Sequence, residues 1–392
     1  MSVKSTASPS KRRPGVGTPR NVPPSPRDPS EYLDNLSLSR KEGWRAMVEA
    51  PTLERPEMLS PRQLRQLSRE AAAAYNRQRI RWHAQMGIVM TAECQSVLEQ
   101  LDDFVTCNCQ TGADAKPLIA LSGLPGLGKS TVARVFAKQF HLDQIGQYGA
   151  YTRAGDERWP VCRIGMTGST GIREFNAALC DFYAHPGIRR ATSAQLLRRA
   201  LDDVSSCETR LLIIDDLHFL HGRSERISEL SNQFKYIANE FPVTVLVIGI
   251  GLHESRALLD DTNSYWDHEM EQLLRCTTPL DMKPFGTDSE KQRRQWRDLL
   301  LTLEQRLLLT QKYPGMLADD LSDQLFIRST GHIGSLMSLI RLGCLRAIRK
   351  GTEKLTKELL DECRVDSAAE LGRRELEVAF RSGRKTTRLR KP

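Results

Sequence analysis

The sequence predicts an α/β protein in which a parallel sheet is sandwiched by helices and followed by a smaller all-helical lid. Three observations carry that prediction. Short apolar runs at Leu118 to Ser122, Val161 to Met166, Leu211 to Ile214 and Val243 to Ile250 alternate with helical stretches, as expected of strands buried on both faces. A glycine-rich turn, Gly123-Leu124-Pro125-Gly126-Leu127-Gly128-Lys129-Ser130, joins the first strand to a helix. Beyond about Thr287 the strand signals fade and helical periodicity alone remains.

The elements follow in order. Ser60-Pro61 reads as an N-cap with proline at the first helical position, opening a helix to about Trp82 through an alanine- and arginine-rich run. A second helix starts after Thr91 with Val97, Leu98, Leu101 and Phe104 as its apolar stripe, and Thr106 to Lys116 reads as a surface loop. Within the sheet region, helices are expected at Ser130 to Phe140, Ile172 to Tyr183, Ala194 to Asp203 and Ser224 to Asn239. The lid is expected to comprise helices at Glu290 to Thr310, Leu321 to Ile327, Gly334 to Arg349 and Thr356 to Cys363. The resulting division is a basic Pro-rich tail at 1–30, an N-terminal helical segment at 31–110, the α/β core at 111–286, the lid at 287–365 and a basic tail at 366–392.

Composition narrows the function classes. A chain of 392 residues, 40% of them hydrophobic, can bury one large core or two ordinary ones. No apolar run reaches the ~18 residues of a spanning helix, and the polar start lacks a secretory apolar stretch, so a cytoplasmic protein with no membrane partner is expected. Nine scattered cysteines predict thiols, and Cys107-Cys109 lacks a second pair at zinc-site spacing. The formal charge of +9 is concentrated at the ends: residues 1–27 and 381–392 each carry six basic residues and no acid, leaving the body slightly acidic. Such tails, poor in bulky apolar groups, cannot repay the entropy of ordering alone. They attract polyanions, nucleic acid above all, or act only as solubilising extensions.

The glycine-rich turn matches the phosphate-binding loop at every fixed position. Gly123, Gly126 and Gly128 let backbone N–H groups curl around phosphate at a helix N-terminus, and Thr131 follows in the first helical turn. Lys129 is expected to reach the β- and γ-phosphates of ATP, and the Ser130 hydroxyl to ligate Mg²⁺. The strand Leu211 to Ile214 ends in two acids. Asp215 is the expected magnesium-side carboxylate, acting mostly through a bound water, and Asp216 the candidate base or water-positioning group.

With these motifs in place, the chain resembles an AAA+ ATPase, and more closely the TniB/TnsC group of transposition regulators related to the IstB helper ATPases. The resemblance rests on Tyr75 to His83 with Thr91, the two Walker motifs, Asp215-Asp216-Leu217-His218-Phe219-Leu220, and Asn232 to Lys235 with Asn239-Glu240. It covers roughly residues 60 to 365. It implies that Arg275, in Gln272-Leu273-Leu274-Arg275 ahead of Pro279-Leu280, is the arginine finger entering a neighbouring subunit; Arg256 is the competing position. It places Thr330 to Gly334 at the start of the lid helix near the nucleotide, with the basic sensor absent, shifted to Arg341 or replaced by His332. Ile248-Gly249-Ile250-Gly251 departs from the family by offering no polar sensor after its strand. Relatives carry glutamate where Asp216 stands, and a shorter side chain implies slow or partner-stimulated hydrolysis.

The resemblance further implies a homo-oligomer, ring or filament, on duplex DNA, linking a TniQ-like or other target-selection protein to a DDE transposase of the TniA/TnsB type. Thr167, Ser169 and Arg173 at the end of the second strand, together with Arg223, are the candidate DNA contacts, and a plain polar loop is the alternative for either patch. A helicase loader or initiator-like ATPase, and a protein-directed signalling or defence ATPase, share the core motifs and stand as competing functions.

Overall fold

The computed structural model describes residues 37–110, 116–167, 170–218, 224–250 and 276–389. The sheet is the frame. Strands β1 (Leu118–Ser122), β2 (Val161–Gly165), β3 (Leu211–His218), β4 (Thr244–Ile250) and β5 (Thr277–Asp281) lie in the order β2-β3-β4-β1-β5, and every pairing is parallel. All five residues of β1 are buried, which explains its unbroken apolar run. Parallel strands require crossovers, and helices α5 (Lys129–Tyr148), α6 (Ile172–Phe182), α7 (Ser193–Ser206) and α8 (Ser224–Glu240) supply them. The expected fold class, a parallel sheet between helices with further helices appended, is the one observed.

Sequence expectations differ from the structure at several edges. Helix α5 runs beyond Phe140 to Tyr148 because Ala137 and His141 continue its buried face, and it stops at Gly149 in a positive-φ conformation. The helix expected from Ser60 is two: α2 (Pro61–Gln66), closed by a capping box between Ser60 and Gln63, and α3 (Arg69–Ala84), recapped by the Ser68 hydroxyl. Helix α4 (Ala92–Gln110) occupies half of the segment read as a loop from Thr106; its start is capped by Thr91 Oγ1, which accepts from the Cys94 N–H. Strand β5 was not foreseen. It contains Pro279 and sits at the sheet edge, where proline's missing N–H is tolerated.

The N-terminal helices divide between two cores. Helix α1 (Lys41–Glu49), also unforeseen, inserts Trp44 and Val48 into the core of the sheet, and α4 contributes Val97, Leu101 and Val105 to the same cluster. Trp44 donates its indole N–H to His141 Nδ1 at 3.2 Å. Helix α3 goes the other way. Its Ile80 and Trp82 pack against the lid core formed by α9 (Glu290–Arg306), α10 (Ser322–Ser329), α11 (Ile333–Lys350) and α12 (Lys357–Asp361). Arg79, with no exposed surface, holds Glu353 through two hydrogen bonds of 2.6 and 2.7 Å.

The stretch from 366, read as a basic tail, instead begins with a helix, α13 (Ser367–Arg381), capped by Asp366. Glu370, Asp361 and Glu377 pair with Arg328 and Arg373, while Phe380 packs tilted against Phe326. Interleaved opposite charges over an apolar stripe make an amphipathic helix, and the excess of basic residues lies beyond it. Thr387 returns to the lid, its buried hydroxyl donating to Asp323 at 2.6 Å.

Candidate functional site

The site grows from the carboxyl ends of β1, β3 and β4, where open parallel sheets place their ligand crevice. After β1 the chain turns through Gly123 to Gly128. Gly126 and Gly128 have φ values of 77° and 89°, which L side chains avoid, and α5 begins at Lys129. The loop therefore sets backbone amides and a helix N-terminus around one point, an arrangement that can hold an anion. Lys129 is largely buried and its ammonium donates to the Gly123 and Leu124 carbonyls at 2.7 and 2.8 Å. Burial lowers its proton affinity, while the nearby Asp215 and Asp216 raise it.

Ser130 and Asp215, far apart in sequence, meet here: the serine hydroxyl donates to Asp215 Oδ1 at 2.9 Å. Asp215 is only 2% exposed, and its Oδ1 also accepts from the Asp216 N–H at 3.0 Å. Its Oδ2 is held by Arg163 from β2 at 2.7 Å. A hydroxyl and a carboxylate are hard oxygen donors that fit Mg²⁺, an ion that keeps waters and phosphate oxygens for its remaining positions. Among the described residues no group of three or more His, Cys, Asp and Glu could hold a metal, so an all-protein cage is not what these donors form.

Asp216 is placed by a β-bulge. Pairing between β3 and β4 runs Ile214 with Val247 and then Leu217 with Gly249, so β3 carries one residue more. Asp216 has φ 62°, a left-handed conformation that costs a non-glycine residue of order 1–3 kcal/mol, and its side chain is exposed. The bulge also leaves no room for a side chain at Gly249 inside β4. A Cβ at Gly249 would lie 2.0 Å from the Leu217 carbonyl oxygen, so no side chain, polar or otherwise, fits there.

The lid closes the other side. The Gly334 N–H, in the first turn of α11, donates to the Gly126 carbonyl at 2.8 Å. His332 stands beside this contact, its Nδ1 3.0 Å from Thr330 Oγ1. Between loop, lid and N-terminal segment lies a cavity of about 280 Å³, lined among others by Gly87, Val89, Thr131, Met282, Met337 and Arg341. Of the two basic groups weighed for the lid, Arg341 is the one on the cavity wall, and burial lowers its proton affinity.

Thr167 follows β2 and shares a short contact with Thr170, hydroxyl to hydroxyl, at 2.9 Å. Arg173, exposed on α6, reaches the Arg189 and Ala191 carbonyls at 3.4 and 3.5 Å. Ser169, Arg223, Arg256 and Arg275 lie outside the described residues. Sequence reasoning missed Arg163, and a signal existed: it is the lone charge in Val161–Gly165, an otherwise apolar strand.

The sheet order, the loop ahead of α5 and the acids at the end of β3 define a P-loop NTPase fold of the AAA+ type. Residues 79–265 match the family model described as TniB, bacterial TniB protein. That match spans a little under half of the chain, and its family is the group that the motifs resemble. No curated protein matches it. Among solved structures it is similar to the ORC1 protein of Aeropyrum pernix in complex with DNA, at 17% identity and a TM-score of 0.49, covering 77% of this chain and 71% of that one. The Aeropyrum pernix ORC2 protein, in ADPNP–ADP complexes, gives 15% identity and a TM-score of 0.48 over 68% of this chain and 66% of that one. Cdc6p of Pyrobaculum aerophilum gives 14% and 0.45 over 68% and 65%.

Proposed function

We propose that the protein is an ATP-dependent regulator of DNA transposition that assembles on duplex DNA and connects a target-selection protein to a DDE transposase. The observation that carries this reading is the coincidence of a TniB-family match with a phosphate-binding loop whose Ser130 is hydrogen-bonded to Asp215 across the strand ends. In this reading the amides of Gly123 to Gly128 cradle the phosphates, and Lys129 exchanges its two carbonyl acceptors for phosphate oxygens. Ser130 and Asp215 hold Mg²⁺, which neutralises phosphate charge when bound. Thr131, Val89 and Arg341 line the cavity that receives the rest of the nucleotide. Asp216 orients the attacking water; one methylene shorter than glutamate, it supports slow turnover, and Arg275 from a neighbouring subunit supplies the missing positive charge.

A subunit that borrows its neighbour's arginine assembles head to tail, into a ring where the rotation closes and a filament where it does not. The basic ends and the polar stretch containing Thr167, Ser169 and Arg173, with Arg223, are the proposed phosphate contacts, which position DNA without reading its sequence. Among the described residues no helix is long and apolar enough to cross a membrane, and the reading places the protein in the cytoplasm on DNA. Electron microscopy of the purified protein on duplex DNA tests it, comparing ATP, a slowly hydrolysed analogue, ADP and no nucleotide. Nucleotide-dependent filaments or stacked rings that enclose DNA are expected, and none with Lys129→Ala. Assemblies that exclude DNA, or form equally without nucleotide, would refute the proposal.

A further inference from the structure

Arg163 has no role in the reading above, yet it makes the shortest hydrogen bond to the carboxylate at the centre of the site. Its Nη2 donates to Asp215 Oδ2 at 2.7 Å, and its Nη1 lies 3.4 Å from Ser39 Oγ, just ahead of α1. The other Asp215 oxygen is already filled by Ser130 and the Asp216 N–H. A second cation, Arg134 on α5, faces the same group: its proton affinity is lowered by burial and by Arg163 and raised by Asp215. Asp215 is almost fully buried, whereas the Arg163 side chain keeps 20% of its surface exposed.

A buried carboxylate needs one compensating cation. Arg163 is the cation hydrogen-bonded to Asp215, at the oxygen not taken by Ser130, while Arg134 and Lys129 act on it through space. A divalent ion held by Ser130 and Asp215 would compensate the same charge and would be repelled by the adjacent guanidinium, and such repulsion is weakly screened in a half-buried site. Arg163 has somewhere to go, because it is partly exposed and already touches Ser39. Arg79 in the lid lacks that freedom.

We propose that Arg163 is an internal counter-ion that competes with Mg²⁺ for Asp215, so that it sets the Mg²⁺ concentration at which the nucleotide site loads. Arg163 is therefore a positioning residue, acting on nucleotide through Asp215. The inference rests on the nucleotide-site reading above. Its direction is distinctive: structural damage raises a metal requirement, whereas removal of a competing cation lowers it.

The test is equilibrium binding of a fluorescent, slowly hydrolysed ATP analogue to the full chain, titrated with Mg²⁺ and with an EDTA arm. For Arg163→Gln the half-saturating Mg²⁺ concentration is expected to fall about tenfold. For Arg163→Lys, which keeps a cation on a shorter side chain, a fall of about threefold is expected. An unchanged or raised requirement in Arg163→Gln overturns the proposal; should that variant not fold, a requirement at or above wild type in Arg163→Lys overturns it equally. Wild-type protein that binds the analogue while neither variant shifts the requirement defeats this inference alone. Wild-type protein that does not bind at any Mg²⁺ concentration defeats the nucleotide-site reading with it.

Discussion

Each of the two cores buries an arginine–carboxylate pair, and the pairs are built differently. In the lid, Arg79 and Glu353 are 0% and 7% exposed and meet through both terminal guanidinium nitrogens. Asn76 and the Leu308 carbonyl take further donors from Arg79, and the Thr310 N–H binds Glu353. In the α/β core, Arg163 meets Asp215 through one hydrogen bond, is 20% exposed, and shares the carboxylate with a serine hydroxyl and a backbone amide. A saturated pair with no outlet can only fix structure: it ties α3 to the loop after α11 and so makes α3 part of the lid. A singly bonded pair at the end of a strand can exchange partners, which suits a site that must admit a charged ligand.

Breaking each pair from its arginine side should expose that contrast. Arg79→Ala leaves Glu353 buried without its cation and is expected to cost about 3–5 kcal/mol of stability. Arg163→Gln leaves Asp215 with Ser130 and the Asp216 N–H, and about 2 kcal/mol is expected. Denaturant melts of both variants measure the difference. Equal losses would mean that the Arg163 pair is as structural as its counterpart.

A smaller effect sharpens the comparison through pH, because each core also buries a histidine. His83, which accepts from the Leu308 N–H at 2.9 Å, has its pKa lowered to about 4, first by burial and then by Arg79. His141, under Trp44, is likewise lowered to about 4 by burial and by Arg45. A depressed histidine pKa means that the unfolded chain binds the proton more readily. Stability is therefore full above the unfolded value of 6.5 and is lost as pH falls toward 4, by up to about 3 kcal/mol for His83. Thermal melts from pH 7.5 to 4.5 should show that decline, and His83→Gln, already weaker at pH 7.5, should flatten it. A profile that stays level through pH 5 in the wild type would contradict the burial of both imidazoles.

Legibility followed the same divide between local and distant causes. The loop at Gly123 to Ser130 and the acids at 215 and 216 were readable because phosphate chemistry constrains adjacent residues. The strands β1, β3 and β4 were readable because a strand covered on both faces must be apolar along its whole length. Helix α1 was not, since Trp44 and Val48 are its main apolar anchors among charged neighbours, and the rings that Trp44 and Arg45 meet, His141 and Trp159, lie about a hundred residues away. Strand β5 was hidden by Pro279, which an edge position excuses. The bulge at Asp216 was invisible for a further reason: it depends on the register of β3 against β4, and only its consequence, a glycine at 249, is written in the sequence. The role of Arg163 was not readable, because its partner Asp215 lies 52 residues away and only the pairing of β2 with β3 brings the two together.

The central claim is that the crevice joining Lys129, Ser130 and Asp215 is where the protein takes up ATP with Mg²⁺. The most direct measurement is calorimetric titration of the slowly hydrolysed analogue into the wild type and Lys129→Ala with Mg²⁺ present. One saturable site per chain is predicted for the wild type, with affinity reduced by about a hundredfold or more in the variant, the loss expected when a charged hydrogen-bonding partner of phosphate is removed. Equal affinity in the two proteins, or no binding to either, would contradict the account.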